Sequence, residues 1–158
     1  MAVHDYRFVT EWRVEGTRED VFSILERPED LPRWWGAVYL DVRVLAPGNE
    51  AGVGRVVSLH TRGRLPYSLR WQLRVTDARR PEGFGFEASG DFSGTGRWQF
   101  VQQGPLVHIR FEWGVRADKR LLRYGSLLLK PLFAANHHWA MARGEEGLAR
   151  ELARRRAG

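Results

Sequence analysis

The chain begins with a regular alternation of apolar and polar residues. A period of two is typical of a β-strand with one face in the core. We therefore predict a first strand that ends at Gly16. The side chains expected on its buried face are Tyr6, Phe8, Thr10, Trp12 and Val14.

Two short helices are predicted after this strand. Thr17-Arg-Glu-Asp20 has the form of a capping box, in which the threonine side chain satisfies a free amide of the first helical turn. Pro28 should end that helix, since proline cannot continue the hydrogen-bond ladder. Residues 29–35 then predict a second helical turn, which Gly36 ends.

From 37 to 115 the alternation returns in consecutive runs separated by turn residues. The connections are too short for the crossovers that parallel strands need, so an antiparallel sheet is predicted. Its second strand is expected to run through Val38, Leu40, Val42 and Val44. With the first strand this gives about seven strands that share one apolar, aromatic face. The opposite, solvent-facing side should carry Arg70, Gln72, Arg74, Arg97, Gln99, His108, Arg110, Glu112 and Arg116.

The rest of the chain favours helix. After Asp118 only Pro131 interrupts good helix formers. We expect a short helix or turn up to about Lys130 and a long helix from Pro131, because proline is tolerated at a first helical position. Residues four apart on this helix form a stripe that would face the sheet. They are Leu132, Asn136, Ala140, Gly144, Leu148 and Leu152.

Length and composition narrow the class of protein. A chain of 158 residues is expected to form one domain over 1–158. The lack of cysteine excludes disulfides and thiolate metal sites. No apolar run approaches the roughly 20 residues that span a bilayer, and residues 1–5 lack the order of a signal peptide. We therefore expect a cytoplasmic protein.

The formal charge of +6 raises the question of an anionic partner. Clustered basic residues bind nucleic acid by neutralising phosphates, but most arginines here are spread singly along the chain. Residues 150–156 contain four arginines and one acidic residue, Glu151, so this segment carries half of the net charge. We interpret this run as a frayed, solvated helix end and do not expect nucleic-acid binding. Weak contact with an anionic membrane surface through the basic C-terminus is the alternative.

The predicted order of elements is that of the helix-grip proteins. The chain resembles the polyketide cyclase/dehydrase and lipid-transport superfamily, the START-like and birch-pollen-allergen-like proteins, over nearly its whole length. The resemblance is carried by Thr17-Arg-Glu-Asp-Val-Phe with Trp34-Trp35-Gly36, by 63–71, by 90–98, and by Asn136-His137-His138 with 144–148. The last three segments are similar to a bacterial subgroup. The resemblance implies an α+β helix-grip fold, in which a curved, seven-stranded antiparallel sheet and a long C-terminal helix enclose a cavity for an apolar or aromatic ligand. It implies no catalytic residue set, and no cofactor is expected.

The rings on the predicted inner face are the first candidates for ligand contact. By alternation alone they fill a solid core, whereas the resemblance favours a cavity that they line. Both readings place the same side chains inside. The predicted ligand-binding residues are Trp12, Tyr67, Trp71, Phe84, Phe86, Trp98, Phe111, Trp113, Phe133, Asn136 and His137.

Three polar residues are weak catalytic candidates. Asn136 needs a partner on the buried stripe, because an unsatisfied amide costs about 1 to 3 kcal/mol; either strand backbone or a ligand could supply one. His137 could act as a general base, and Tyr67 lies either at the cavity rim or in a packed turn. His137 and His138 point about 100° apart on a helix, so no metal site is expected.

The other polar candidates are interpreted structurally. Ser58 and His60 share a strand face without a third orienting group, so we read them as surface residues. Gly94 and Gly96 lack the residues of a phosphate loop, and we expect them to allow sharp bending or close packing under the long helix. Asp91 is expected to serve a turn.

Two functions are compatible with this pattern. The first is binding of a small hydrophobic or aromatic ligand, such as a lipid, isoprenoid or polyketide-like molecule, for transport, storage or presentation. The alternative is a cyclase or dehydratase that acts on a cyclic or aromatic substrate in the same cavity. The sequence does not indicate the ligand or the oligomeric state.

Overall fold

The computed structural model describes residues 5–64, 68–117 and 126–157, with side chains for 6–64, 68–116 and 134–157. Seven strands form one sheet: β1 (Asp5–Glu15), β2 (Tyr39–Ala46), β3 (Val56–Thr61), β4 (Leu69–Arg79), β5 (Gly83–Gly90), β6 (Phe92–Gln103) and β7 (Leu106–Ala117). Two short helices, α1 (Arg18–Leu25) and α2 (Leu31–Trp34), follow β1, with a 3-10 turn at Pro28–Asp30 between them. The long helix α3 (Ser126–Ala157) follows β7. The predicted α+β architecture is confirmed.

Every neighbouring pair of strands is antiparallel, in the spatial order β1-β7-β6-β5-β4-β3-β2. The alternation predicted from the sequence determines which side chains turn inward. On β1, Trp12 and Val14 are 2% and 3% exposed, whereas Val9 on the other face is 56% exposed. The predicted polar face of the sheet is likewise on the outside.

The first helix begins as the capping box predicts. The Thr17 side chain accepts a hydrogen bond from the Asp20 amide at 3.2 Å. Val21, Phe22, Ile24 and Leu25 turn from α1 into the core.

The second strand is less regular than its alternation suggests. The register with β3 shifts between Tyr39 and Asp41, so Leu40 is an extra residue opposite no partner. A bulge of this kind turns a side chain away from its expected face, and Leu40 is 47% exposed. Val44 is also exposed, because it lies on the edge strand. The expectation that both are buried was wrong.

The long helix begins earlier than predicted. α3 is continuous from Ser126, so Pro131 lies inside it and does not start it. Proline inside a helix removes one backbone hydrogen bond and crowds the carbonyl four residues before it. This cost is local, and the other bonds of a helix of 32 residues remain available. Of the stripe residues whose side chains are described, Gly144, Leu148 and Leu152 are buried as predicted, whereas Asn136 and Ala140 are half-buried.

Close approach of α3 to the rest of the fold depends on glycine. A Cβ at Gly144 would lie 2.4 Å from the Trp35 ring, and one at Gly147 would lie 2.1 Å from the Trp34 carbonyl oxygen. The helix therefore rests directly on the Trp34-Trp35 segment, over the inner face of the sheet.

Candidate functional site

A cavity of about 190 Å³ lies between the sheet and α3. The structure thus contains the cavity that the resemblance implied in place of a solid core. Helix α3 contributes Asn136, His137, Ala140 and Met141 to its wall. Of the predicted ligand-contact rings, those that line it are Trp71, Phe84, Phe86, Trp98, Phe111 and Trp113.

Strand register arranges these rings in rows across the sheet. Trp98 on β6 pairs with Phe84 on β5 and with Phe111 on β7. The rings of Trp98 and Phe111 are stacked, with centroids 4.2 Å apart. Offset stacked rings present flat, apolar faces, which suit a planar guest.

The next row of the sheet shows why a glycine is needed at position 96. Gly96 lies between Phe86 and Trp113 in the register, and a Cβ there would come within 2.3 Å of the Phe86 ring. The missing side chain lets Phe86 lie across β6, 5.7 Å from Trp113. Close packing at this glycine was predicted, but it is against a ring of the neighbouring strand and not under the long helix.

Trp12 is not part of the cavity wall. Its ring lies 5.7 Å from Trp35 and 5.3 Å from Trp98, beneath Gly144 of α3. Trp12 therefore supports the cavity wall from behind. The prediction of ligand contact was wrong for Trp12, because alternation indicates which face of a strand a residue lies on but not whether it borders the cavity. Tyr67 lies outside the described residues, as does the side chain of Phe133.

His137 lies at one end of the cavity. Its ring stacks on Phe8 with centroids 4.2 Å apart, and its Nε2 is 3.3 Å from the Thr10 hydroxyl oxygen. Burial, together with the nearby His138, lowers the pKa of His137 from 6.5 to about 4. The ring is therefore neutral near pH 7 and is a weak base there.

Asn136 holds a loop. Its Oδ1 accepts a hydrogen bond of 2.7 Å from the backbone amide of Arg64, in the loop after β3. Gly63 makes room for this contact, since a Cβ there would lie 2.0 Å from the same oxygen. The amide thus has a backbone partner, as the structural alternative predicted, although that partner is in a loop and not in a strand. Asn136 also faces the cavity.

Sequence reasoning missed many lining residues, and those with polar groups include Glu26, Trp35, Tyr39 and Arg55. Trp35 donates a hydrogen bond of 2.9 Å from Nε1 to the Ala140 carbonyl. Burial raises the pKa of the Tyr39 hydroxyl, which stays protonated and available as a donor. The Trp34-Trp35 pair in the sequence was a signal that could have identified Trp35. Nothing in the alternation identifies Arg55.

The remaining candidates lie away from the cavity. His108 is on the outer face, 3.4 Å from Glu11, as parity predicts. His60 is half-buried and its Nε2 has no partner among the described residues. Asp91 accepts a hydrogen bond of 2.8 Å from the Arg70 amide on the adjacent strand, so it links two strands next to its turn.

The basic C-terminal run is not a frayed end. Glu151 is 4% exposed, and both its carboxylate oxygens accept hydrogen bonds of 2.8 Å from Arg33. Arg154 binds the same carboxylate, and Arg156 donates to the Glu15 carbonyl. Pairing with distant residues fixes this end of α3, which a local reading of charge could not reveal.

Two further properties concern metals and membranes. In the ranges 5–64, 68–117 and 126–157, no group of three or more acidic or histidine side chains could hold a metal ion. None of the helices described is long and apolar enough to cross a bilayer.

Comparison with solved structures identifies the fold. A START superfamily protein from Mycobacterium smegmatis superposes with a TM-score of 0.73 at 16% identity, over 94% of this chain and 97% of that one. The Zhui aromatase/cyclase from Streptomyces sp. R1128 gives 0.75 at 15% identity, over 96% of each chain. Ara h 8.0201 gives 0.55 at 10% identity, over 87% of this chain and 99% of that one. No protein-family model matches the sequence, and no curated protein matches it. The chain has the helix-grip fold of START-like proteins and polyketide aromatase/cyclases.

Proposed function

We propose that the chain acts as one START-like domain over 1–158 that binds a small hydrophobic or aromatic molecule for transport, storage or presentation. The observation that carries the proposal is the ring-lined cavity between the sheet and α3. Ligand pockets typically combine an apolar wall with a few polar groups that fix orientation. His137, Asn136, Tyr39 and Arg55 are such groups here.

The size of the cavity favours a compact ligand. Its volume of about 190 Å³ is below the roughly 300 to 1,000 Å³ of pockets for drug-sized molecules. Stacked rings such as Trp98 and Phe111 complement a flat guest. A small cyclic or aromatic molecule therefore fits better than a lipid with long acyl chains.

Binding is tested by extraction and by a neutral fluorescent probe. Organic extracts of the purified protein should contain a co-purified apolar molecule detectable by mass spectrometry, and N-phenylnaphthylamine should gain fluorescence on binding. Ala140 lines the cavity whereas Ala142 on the same helix is exposed. Ala140→Leu should reduce probe binding and Ala142→Leu should not. Clean extracts together with no probe binding would reject the proposal.

Catalysis by a cyclase or dehydratase is the second candidate. It is favoured by the polar groups at the cavity wall, which could hold a cyclic substrate in a reactive conformation. His137 would act as the base, although its low pKa makes it a weak one. His137→Ala should then abolish turnover of a bound substrate while binding largely persists. Normal turnover in that variant would exclude His137 as the base.

We do not extend the proposal to nucleic acid. Arg154 and Arg156 already have protein partners, which leaves fewer cations free to neutralise phosphates. Arg150 and Arg155 are exposed and would supply any weak contact with an anionic membrane surface. Within the proposal the protein works in the cytoplasm.

A further inference from the structure

We infer that the ligand carries a carboxylate, and that Arg55 binds this group at one end of the cavity. The inference rests on the proposed ligand-binding function and specifies the chemical class of the ligand. It predicts a flat, cyclic acid whose rings lie among Trp98, Phe111 and their neighbours.

The first observation is the way in which Arg55 is held. Its Nε donates to the Pro47 carbonyl at 3.1 Å, and its Nη1 donates to the Glu26 carbonyl at 2.6 Å. Both acceptors are neutral, so they fix the guanidinium without cancelling its charge. Nη2 has no acceptor among the residues that the structure describes, and Arg55 lines the cavity. A fixed guanidinium edge of this kind recognises carboxylates well.

The second observation is the charge balance at this end. Glu26 also lines the cavity, but its carboxylate forms a salt bridge with Arg80. Arg80 is held in turn over the Phe22 ring at 4.5 Å. Arg80 therefore pairs with the Glu26 carboxylate, whereas Arg55 contacts only the Glu26 backbone carbonyl. The positive charge of Arg55 is thus left available to an acidic ligand.

The third observation is the contrast with the opposite end. There the polar lining groups include Thr61, Asn136 and His137, and His137 is neutral at pH 7 because its pKa is about 4. The Arg55 end also includes exposed Ala51, so an anion placed there keeps part of its hydration and avoids the cost of full burial. The charge difference orients the ligand with its acid toward Arg55 and its rings inside.

The test compares a naphthalene carboxylate with its primary amide, which has nearly the same shape and no charge. Calorimetry at pH 7 should show the carboxylate binding roughly tenfold more tightly to the wild type, with the preference shrinking as salt rises. Arg55→Gln should remove the preference and Arg55→Lys should retain part of it. Arg74→Gln is the matched control, because Arg74 pairs with Glu87 on the outer face of the sheet and should change nothing.

Equal affinity of wild type for acid and amide would overturn the inference, as would a preference that persists in folded Arg55→Gln. If Arg55→Gln does not fold, the wild-type comparison and its salt dependence still decide. The neutral probe separates the two proposals. Binding of N-phenylnaphthylamine without preference for the acid rejects only the carboxylate, whereas failure of the neutral probe together with clean organic extracts rejects the binding function itself.

Discussion

Trp35 donates a hydrogen bond from its indole nitrogen to the carbonyl oxygen of Ala140, 105 residues later in the chain. The bond joins the segment after α2 to the middle of α3, directly beside the cavity, which both residues line. The Trp35 ring can reach this carbonyl because Gly144, one turn further along α3, has no side chain to collide with the ring.

We predict that Gly144→Ala destabilises the protein. Alanine is favoured over glycine in a helix by up to about 1 kcal/mol, but its Cβ would lie 2.4 Å from the Trp35 ring. Overpacking typically costs about 1 to 3 kcal/mol, so the net change should be a lower midpoint of urea unfolding. Gly114→Ala is the control, since its nearest contact would be Thr95 Oγ1 at 3.8 Å. A midpoint at or above wild type for Gly144→Ala would contradict the close packing.

The buried carboxylate of Glu151 yields a second prediction. Glu151→Gln should lower the free energy of unfolding by roughly 1.5 to 3 kcal/mol, the range of hydrogen bonds to charged groups, because it weakens contacts with Arg33 and Arg154. Glu146→Gln is the control on the same helix. Its pair with Arg143 is exposed at both side chains, so its effect should stay below about 0.5 kcal/mol. Urea unfolding at pH 7 measures both changes, and equal effects would count against a special role for Glu151.

Glu151 should also contribute to acid sensitivity. Its hydrogen bonds with Arg33 and Arg154 lower its pKa from 4.5 to about 2. The unfolded chain therefore takes up a proton at higher pH than the folded chain, and stability falls as pH drops from about 4.5 to about 2. Wild type should lose more stability over this interval than Glu151→Gln. Parallel pH profiles of the two proteins would contradict the lowered pKa.

The strands were predictable because burial of one face imposes a period of two. Phe111 and Trp113 turn inward for that reason, and the spacing of Leu148 and Leu152 gave the buried stripe of α3. Neither signal depends on distant contacts.

The misplaced or missed residues depend on distant contacts or on local irregularity. Glu151 is buried because Arg33, 118 residues away, binds it. Arg55 points to the cavity because carbonyls of Glu26 and Pro47 hold it there. Leu40 is exposed because of a bulge in β2, which alternation does not reveal.

The low pKa of His137 predicts that stability also depends on pH in a higher pH range than the one governed by Glu151. Burial keeps the folded ring neutral down to about pH 4, whereas the unfolded value is 6.5. The unfolded chain therefore binds more protons between these values, and this contribution to stability is lost as pH falls from about 6.5 to about 4. Titration by nuclear magnetic resonance should show the His137 ring neutral at pH 5. A His137 ring that titrates near pH 6.5 would contradict its burial against Phe8.

Asn136 is predicted to order the loop after β3 through a single acceptor atom. Asn136→Leu should remove the hydrogen bond to the Arg64 amide, and that amide should exchange with deuterium faster as the loop opens. Asn136→Asp keeps the oxygen and should preserve slow exchange, which distinguishes loss of the acceptor from loss of size. The His138→Gln variant, which changes an exposed side chain two residues later, should leave the Arg64 amide as in wild type. If the Arg64 amide still exchanges slowly in Asn136→Leu, Asn136 does not hold the loop. Contact with the ligand at the cavity wall would then be the remaining role for Asn136.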